Sequence, residues 1–318
     1  MLLSEDRALN IAIILPAYNE ADTIGLTLTA FSKQLPDAKF IVVDNNSTDD
    51  TAAVARTYFS KLNVDGIVLS EPRQGKGYAV RRAFHEVNAD ILVLTDADTT
   101  YPADAVRTLM EPVINGEADM VVGDRITAGD YSHVNTRLLH DFGNRLVRWW
   151  VNRLFHANLH DILSGYRVLN QCFVKHYPIL VSGFELETDM TLHALDKRFR
   201  VLEIPIGYER RPPDSHSKLH TFRDGTKIIF LIAQLCRFYR PLLFFSILAA
   251  FFLLGGLLSA VPVLMDWFRF HYIYHVPLAI LAAGLELLAA VLLGVGLILD
   301  SIAHQDRMRF ERELLRSK

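Results

Sequence analysis

Short apolar runs alternate with amphipathic stretches over the first ~125 residues of the chain, and two long apolar runs dominate its last quarter. The short runs are Ile11–Leu15, Phe40–Val43, Gly66–Leu69, Ile91–Leu94 and Met120–Val122, all uncharged and rich in branched side chains. They read as strands buried on both faces. Between them, Asp22–Gln34, Asp49–Leu62, Gly77–Val87 and Ala103–Ile114 read as helices with one face toward a core. This alternation predicts an α/β domain, a mostly parallel sheet with helices on both faces and ligands beyond the carboxyl ends of its strands. After Arg125 the pattern becomes a long amphipathic helix over 136–155, then the segment DILSGYRVL (161–169). A second helix runs from GFELETDM (183–190) through Lys197, followed by a strand at Val201–Ile206 and a polar, proline-bearing loop at 207–221.

The long runs are of a different kind. Residues 242–265 contain no charge and 276–299 contain only Glu286. Each has 24 residues, enough to cross a ~30 Å hydrocarbon core with some tilt. They predict a transmembrane α-hairpin, with Glu286 facing the other span or protonated because a lipid-facing carboxylate is costly. The loop 266–275 holds one basic residue, Arg269, whereas the tail 304–318 holds five. By the positive-inside tendency the tail and the large N-terminal region lie in the cytoplasm of an integral membrane protein. The first residues, MLLSEDRALN, lack the apolar stretch of a cleaved signal peptide. Cys172 and Cys236 are the only cysteines, which gives no disulfide framework. The expected domains are therefore 1–221, an interfacial amphipathic helix at 222–240, and a membrane unit at 241–318.

Charge refines this division. The net charge is −3, yet residues 197–240 hold ten Lys/Arg against four Asp/Glu. A basic segment just before the first span suits anionic membrane lipids or a phosphate-bearing membrane substrate. No nucleic-acid-reading motif accompanies it, so no nucleic-acid partner is expected.

The chemistry concentrates at four expected strand ends: PAYNE (16–20), DNNSTDD (44–50), EPRQGKG (71–77) and DADTTYP (96–102). A lone D-x-D is common in turns, where aspartates cap the next helix. Four ligand-capable loops converging on one sheet edge favour the other reading, two carboxylates that hold a hard divalent cation. Lys76, between two glycines at a helix start, adds a cation and backbone N–H groups where a diphosphate could sit.

These motifs, with SGYR, GFELE and SKL following in order, resemble a family 2 glycosyltransferase of the GT-A fold. The similarity is greatest to the dolichol-phosphate-mannose-synthase-like, or polyprenyl-phosphate glycosyltransferase, group, and it extends over roughly residues 10–230. The resemblance implies a GT-A domain with a C-terminal membrane anchor. It implies that Pro16, Tyr18, Glu20 and Asp44 hold the nucleobase and ribose, that Lys76 meets the diphosphate, and that Asp96 and Asp98 bind Mg²⁺ or Mn²⁺. Arg125, Arg137, Arg211, Ser217 and Lys218 match positions associated with a lipid-phosphate acceptor, with Asp98, Arg211 and Lys218 central to catalysis. Asp161, Glu185, Glu187 and Asp189 are left to sugar contacts or framework. Two departures stand out: Thr100 replaces a frequent Gln, and Asn45 replaces a frequent second Asp.

The implied reaction is inverting transfer of one sugar from a nucleotide-sugar donor, a UDP-sugar with GDP-mannose as the alternative, to a polyprenyl phosphate such as undecaprenyl phosphate. Transfer to a lipid or glycan hydroxyl and an inactive membrane adaptor are the rival readings, and self-association stays open. Two features are set aside. His156/His160 and His216/His220 are spaced i,i+4 but lack the H-E-x-x-H order of zinc hydrolases. RLVRW (145–149) carries Arg where a processive synthase would carry Gln.

Overall fold

The computed structural model describes residues 9–127, 138–183, 185–207, 233–234 and 236–316. The chain divides into two compact units, 1–220 and 221–318.

The first unit is built on a seven-stranded sheet: β1 (Ile11–Ala17), β2 (Lys39–Asp44), β3 (Gly66–Ser70), β4 (Ile91–Leu94), β5 (Met120–Asp124), β6 (Arg167–Asn170) and β7 (Val201–Pro205). Its order is β3-β2-β1-β4-β6-β5-β7. Pairs β1–β2, β2–β3, β1–β4 and β5–β7 are parallel, while β6 runs antiparallel between β4 and β5. The helices are α1 (Ile24–Gln34), α2 (Thr51–Leu62), α3 (Lys76–Glu86), α4 (Val106–Ile114), α5 (Leu138–Phe155), α6 (Gln171–His176) and α7 (Leu186–Asp196), with a 3₁₀ turn at Ala103–Ala105.

The short uncharged runs of β1, β2, β4 and β5 become strands covered on both faces, whereas β3, at the sheet edge, is half-buried. Ile13, Leu15, Phe40, Val42, Val93, Val121 and Val168 pack in one core with Leu28 and Phe31 of α1 and Val106, Leu109 and Met110 of α4. Burial of each such side chain stabilises by about 1.5–3 kcal/mol. All five strands expected before Arg125 are present, extended by one or two residues at some ends. The sixth, β6, was not expected. It is four residues long and begins on an arginine, so neither length nor alternation marks it.

The order of the sheet fixes the site. The chain leaves β1 to build β2 and β3 on one side, then returns to place β4 on the other. A crevice opens at the carboxyl ends of strands where the winding reverses in this way. PAYNE leaves β1 there, DNNSTDD leaves β2, and DADTTYP leaves β4.

The second unit contains α8 (Pro241–Phe270) and α9 (Val276–Arg316), packed on each other as a hairpin and each long and apolar enough to cross a membrane. The connection is tied by Asp266, whose carboxylate accepts the amides of Tyr274 (2.9 Å) and His275 (3.1 Å). A core helix would hide its leucines, but here Leu258 is 72% exposed and Leu287 68%. Outward-facing apolar surface of this extent fits hydrocarbon rather than water. Of the interfacial helix expected at 222–240, only residues 233–234 and 236–240 fall among those described.

Candidate active site

The nucleotide-side loops are stitched to one another before any ligand is considered. Asn19 takes a left-handed backbone (φ 53°). Its amide donates to Ser47 Oγ (3.1 Å), and its side-chain carbonyl accepts the Thr48 amide (2.8 Å). The Glu20 amide donates to Thr51 Oγ1 (2.9 Å), and its carboxylate accepts the Thr23 hydroxyl (2.8 Å). Pro16, Tyr18, Glu20 and Asp44 are all half-buried around this seam. Asp44 also accepts the Ser47 amide (3.2 Å), which closes its own loop.

Asn45 behaves otherwise. It is buried at 4% exposure and turned toward the segment after β3. Its NH₂ donates to the carbonyls of Arg73 (2.7 Å) and Glu71 (3.3 Å), and its oxygen accepts the Gly75 amide (2.7 Å). An aspartate could accept from Gly75 but could not donate to the two carbonyls. The departure from the resembled pattern therefore serves loop shape.

That same loop is clamped by an ion pair. Arg73 binds Glu71 in bidentate fashion at 2.8 and 2.9 Å. The Arg73 bond, working against burial, holds the Glu71 carboxyl at about 2 rather than its ordinary 4.5. A depressed acid stabilises the fold above its unfolded value, and that support is lost as pH falls toward the folded value. The thermal stability advantage of the parent over Glu71→Gln should therefore be full above pH 4.5 and shrink on titration toward pH 2. An advantage that stays constant over that window would remove the clamp.

Lys76 was expected to point its ammonium at a diphosphate. In the structure Nζ lies 2.5 Å from Asp96 Oδ1 and 2.5 Å from Glu187 Oε1. Burial opposes this charge, but the two carboxylates outweigh it and keep the ammonium above its usual range. Two amides at the helix start are engaged: Gly77 donates to the Ser182 carbonyl (3.0 Å) and Gly75 to Asn45 Oδ1 (2.7 Å). Gly75 and Gly77 also let the 181–182 backbone approach. A Cβ on either glycine would stand 2.1 Å from a carbonyl oxygen.

Asp96 and Asp98 leave β4 in different circumstances. Asp98 is 2% exposed. Its Oδ1 accepts the Thr100 hydroxyl (2.6 Å) and amide (3.3 Å), so Thr100 orients this carboxylate. Asp96, with its side chain 28% exposed, forms the more open half of the pair. Gly165 of SGYR borders it: a Cβ there would stand 2.9 Å from Lys76 Nζ and 3.1 Å from Asp96 Oδ2. Four segments thus meet around Lys76, contributed by α3, the β4 end, the turn before β6, and α7.

Arg125, expected at a position that meets the lipid-phosphate acceptor, is 8% exposed. Its guanidinium grips Asp161 in bidentate fashion (2.7 and 2.9 Å) and reaches Tyr101 Oη at 3.4 Å. Tyr101 Oη in turn accepts the Gly165 amide (2.8 Å). Arg125 therefore braces the floor of the site. The Arg167 guanidinium, which sequence reasoning did not single out, is fully buried. It donates to the carbonyls of Ser164 (3.0 Å), Ile162 (2.8 Å) and Glu187 (2.8 Å), and to Thr191 Oγ1 (2.9 Å). Arg137, Arg211, Ser217 and Lys218 lie outside the described residues, as does the His216/His220 pair.

Glu187 belongs to the site through Lys76, whereas Asp189 accepts the Tyr177 hydroxyl (2.7 Å) and packs as framework. Burial raises the Asp189 carboxyl, with that hydrogen bond working against it. His160, set aside on sequence, meets Glu203 at 3.2 Å. With Asp124 the two form a group whose ligand atoms lie within 4.8 Å of one another, close enough to hold a metal ion. Its carboxylates are already used by the fold: Glu203 accepts the amides of His160 (2.6 Å) and Asp161 (2.8 Å), and Asp124 those of Ile126 (2.8 Å) and Thr127 (3.1 Å).

Comparison with known proteins agrees with this architecture. Glycosyltransferase AglJ of Haloferax volcanii is 28% identical over 307 residues, covering 96% of this chain and 98% of its own. A dolichyl-phosphate hexose transferase of the same organism is 26% identical, covering 71% of this chain and 94% of its own. Among solved structures, glucosyl-3-phosphoglycerate synthase of Mycobacterium tuberculosis, crystallised with Mn²⁺, UDP-glucose and glycerol 3-phosphate, superposes with a TM-score of 0.55 at 23% identity. That match covers 72% of this chain and 79% of the other, and it shares the GT-A fold. The model of glycosyl transferase family 2 matches residues 12–171. With its D-x-D at the carboxyl edge of a GT-A sheet, the chain belongs to glycosyl transferase family 2 and is a glycosyltransferase.

Proposed function

We propose that the enzyme transfers a single sugar from a UDP-sugar to a polyprenyl phosphate, with inversion, at the cytoplasmic face of a membrane. The observation that carries this reading is the Lys76–Asp96–Glu187 cluster beside the oriented Asp98, in a chain that also carries an apolar helical hairpin. The acceptor class is supported by the similarity to a dolichyl-phosphate hexose transferase over most of that protein's length.

Asp96 and Asp98 fit Mg²⁺ or Mn²⁺ in donor type, since hard dications take carboxylate oxygens. Thr100 already holds one of the two carboxylates in a fixed orientation. A bound dication supplies charge compensation for the departing nucleoside diphosphate. Around it, Pro16, Tyr18, Glu20 and Asp44 bind the nucleoside, and Lys76 adds a positive charge on the diphosphate side. A phosphate oxygen of the acceptor attacks the anomeric carbon. The bond from that carbon to the diphosphate oxygen breaks, and the diphosphate leaves with the electron pair.

No general base is required, because a phosphate monoester has its second pKa near ~6 and is largely ionised at neutral pH. What is required is cationic grip. Arg211, Ser217 and Lys218 supply it on the segment leading to the hairpin, with Arg137 joining them from the segment before α5. Arginine grips two phosphate oxygens at once and lysine acts as a compact charge.

The test incubates the purified full-length protein in nanodiscs with labelled nucleotide-sugars and undecaprenyl phosphate. Label from a UDP-sugar should move into lipid. Arg211→Ala and Lys218→Ala should abolish that product while leaving nucleotide-sugar binding intact. Label from GDP-mannose alone would replace the donor, and label appearing only on a glycan hydroxyl would overturn the acceptor.

A further inference from the structure

The transfer reaction as written gives Glu187 no task, yet the fold holds its carboxylate in a costly place. That side chain is 7% exposed, and its Oε1 lies 2.5 Å from Lys76 Nζ. The same ammonium stands 2.5 Å from Asp96 Oδ1. One ammonium therefore serves two carboxylates, where a closed ion pair needs only one. An excess charge in a largely buried cluster is expensive to keep.

Both ends of the Lys76–Glu187 contact are fixed from outside it. Glu187 sits in the first turn of α7, and its carbonyl accepts from Arg167 (2.8 Å) and from the Thr191 hydroxyl (2.9 Å). Lys76 is the first residue of α3. That helix start is pinned to the segment before α7 by the Gly77 amide on the Ser182 carbonyl (3.0 Å). The Lys76 side chain is 11% exposed and that of Asp96 28%, so the cluster is most open at Asp96.

An ammonium on Oδ1 and a dication compete for one carboxylate, because both draw on its negative charge. A lysine with Asp96 as its sole partner would oppose metal binding at full strength. A second carboxylate shares the ammonium and loosens its hold on the first. We propose that Glu187 is a positioning residue of the metal site: it draws the Lys76 ammonium to itself and so frees Asp96 for the dication. The inference rests on Asp96 and Asp98 binding that dication. Glu187 acts here only through Lys76, which keeps a counter-ion while it stays beside the diphosphate side of the donor.

The experiment titrates Mn²⁺ into the full-length protein in phosphatidylcholine nanodiscs without nucleotide, reading free Mn²⁺ by its EPR signal against empty nanodiscs. Asp98→Asn should weaken binding, which reports the metal site itself. Glu187→Gln matches the parent side chain in shape and should weaken Mn²⁺ binding by about 10-fold. Glu187→Asp keeps the charge but falls one methylene short of Nζ, and it should lose most of the same affinity. Lys76→Met removes the competitor and should tighten binding by about 10-fold. In that background Glu187→Gln should change the affinity by less than about 2-fold. Equal losses from Glu187→Gln with and without Lys76, or parent-like binding by Glu187→Asp, overturn the inference, because Glu187 then acts by its own charge. Parent-like binding by Glu187→Gln, or no tightening in a folded Lys76→Met, overturns it as well. If the melting temperature shows Lys76→Met to be unfolded, the Glu187→Gln and Glu187→Asp pair decides alone. Unchanged Mn²⁺ binding in Asp98→Asn removes instead the metal reading on which the inference stands.

Discussion

Asp98→Asn should lower turnover by on the order of 10²-fold or more while leaving the fold intact. The two halves of that expectation have separate causes. Asparagine matches aspartate in shape, and its carbonyl oxygen can still accept the Thr100 hydroxyl that now sits 2.6 Å from Oδ1. Packing around this buried position is therefore kept. The charge is what disappears, and a dication binds a neutral amide far less well than a carboxylate. The developing charge on the leaving diphosphate is then uncompensated in a water-poor site. EDTA should halt the parent and added Mn²⁺ should restart it. Thr100→Val, which removes only the orienting hydroxyl, should cost about 10-fold, the usual scale for a group that positions a ligand. Rates for Asp98→Asn within a few-fold of the parent, at unchanged melting temperature, would separate the D-x-D from catalysis.

Arg167→Ala should have the largest effect on stability. Its guanidinium is fully buried and serves three carbonyls and a hydroxyl drawn from the turn before β6 and from α7. Truncation takes this donor from the Ser164 and Ile162 carbonyls at roughly 1–3 kcal/mol each, while the Glu187 carbonyl keeps the Thr191 hydroxyl (2.9 Å), and it opens a void as well. A loss of about 3–5 kcal/mol is expected, which for a domain of this size lowers the melting temperature by on the order of 10 °C. The damage reaches function by a traceable route. Arg167 ties Ser164, next to Gly165, to Glu187, and those two segments frame Lys76. Arg167→Lys should recover only a fraction, because one ammonium cannot span the same fork of acceptors. A melting temperature within 2 °C of the parent for the alanine variant would show that water or rearrangement satisfies those groups.

The sequence determined the order of the elements and the edge at which chemistry collects. Strands of a mostly parallel sheet announce themselves as short uncharged runs, so β1 to β5 and the loops that leave them could be read directly. Hydropathy alone marked the two apolar helices as well, because a length of unbroken apolar residues is a one-dimensional property.

Tertiary structure decided how side chains are paired. Lys76, Asp96 and Glu187 lie 20 and 91 positions apart along the chain, and only the meeting of α3, β4 and α7 joins them into one ion cluster. Arg125 carries the same charge in the sequence whether it faces a lipid phosphate or Asp161. Burial at 8% exposure and a bidentate partner 36 residues away make it a brace. Asn45 likewise could be a base contact or a staple until the loop after β3 folded back onto it. Strand β6 escaped notice for the same reason: four residues acquire strand character only when β4 and β5 stand on either side to take their hydrogen bonds. Periodicity records which face of an element is buried, and it carries no information about which distant group a buried charge will meet.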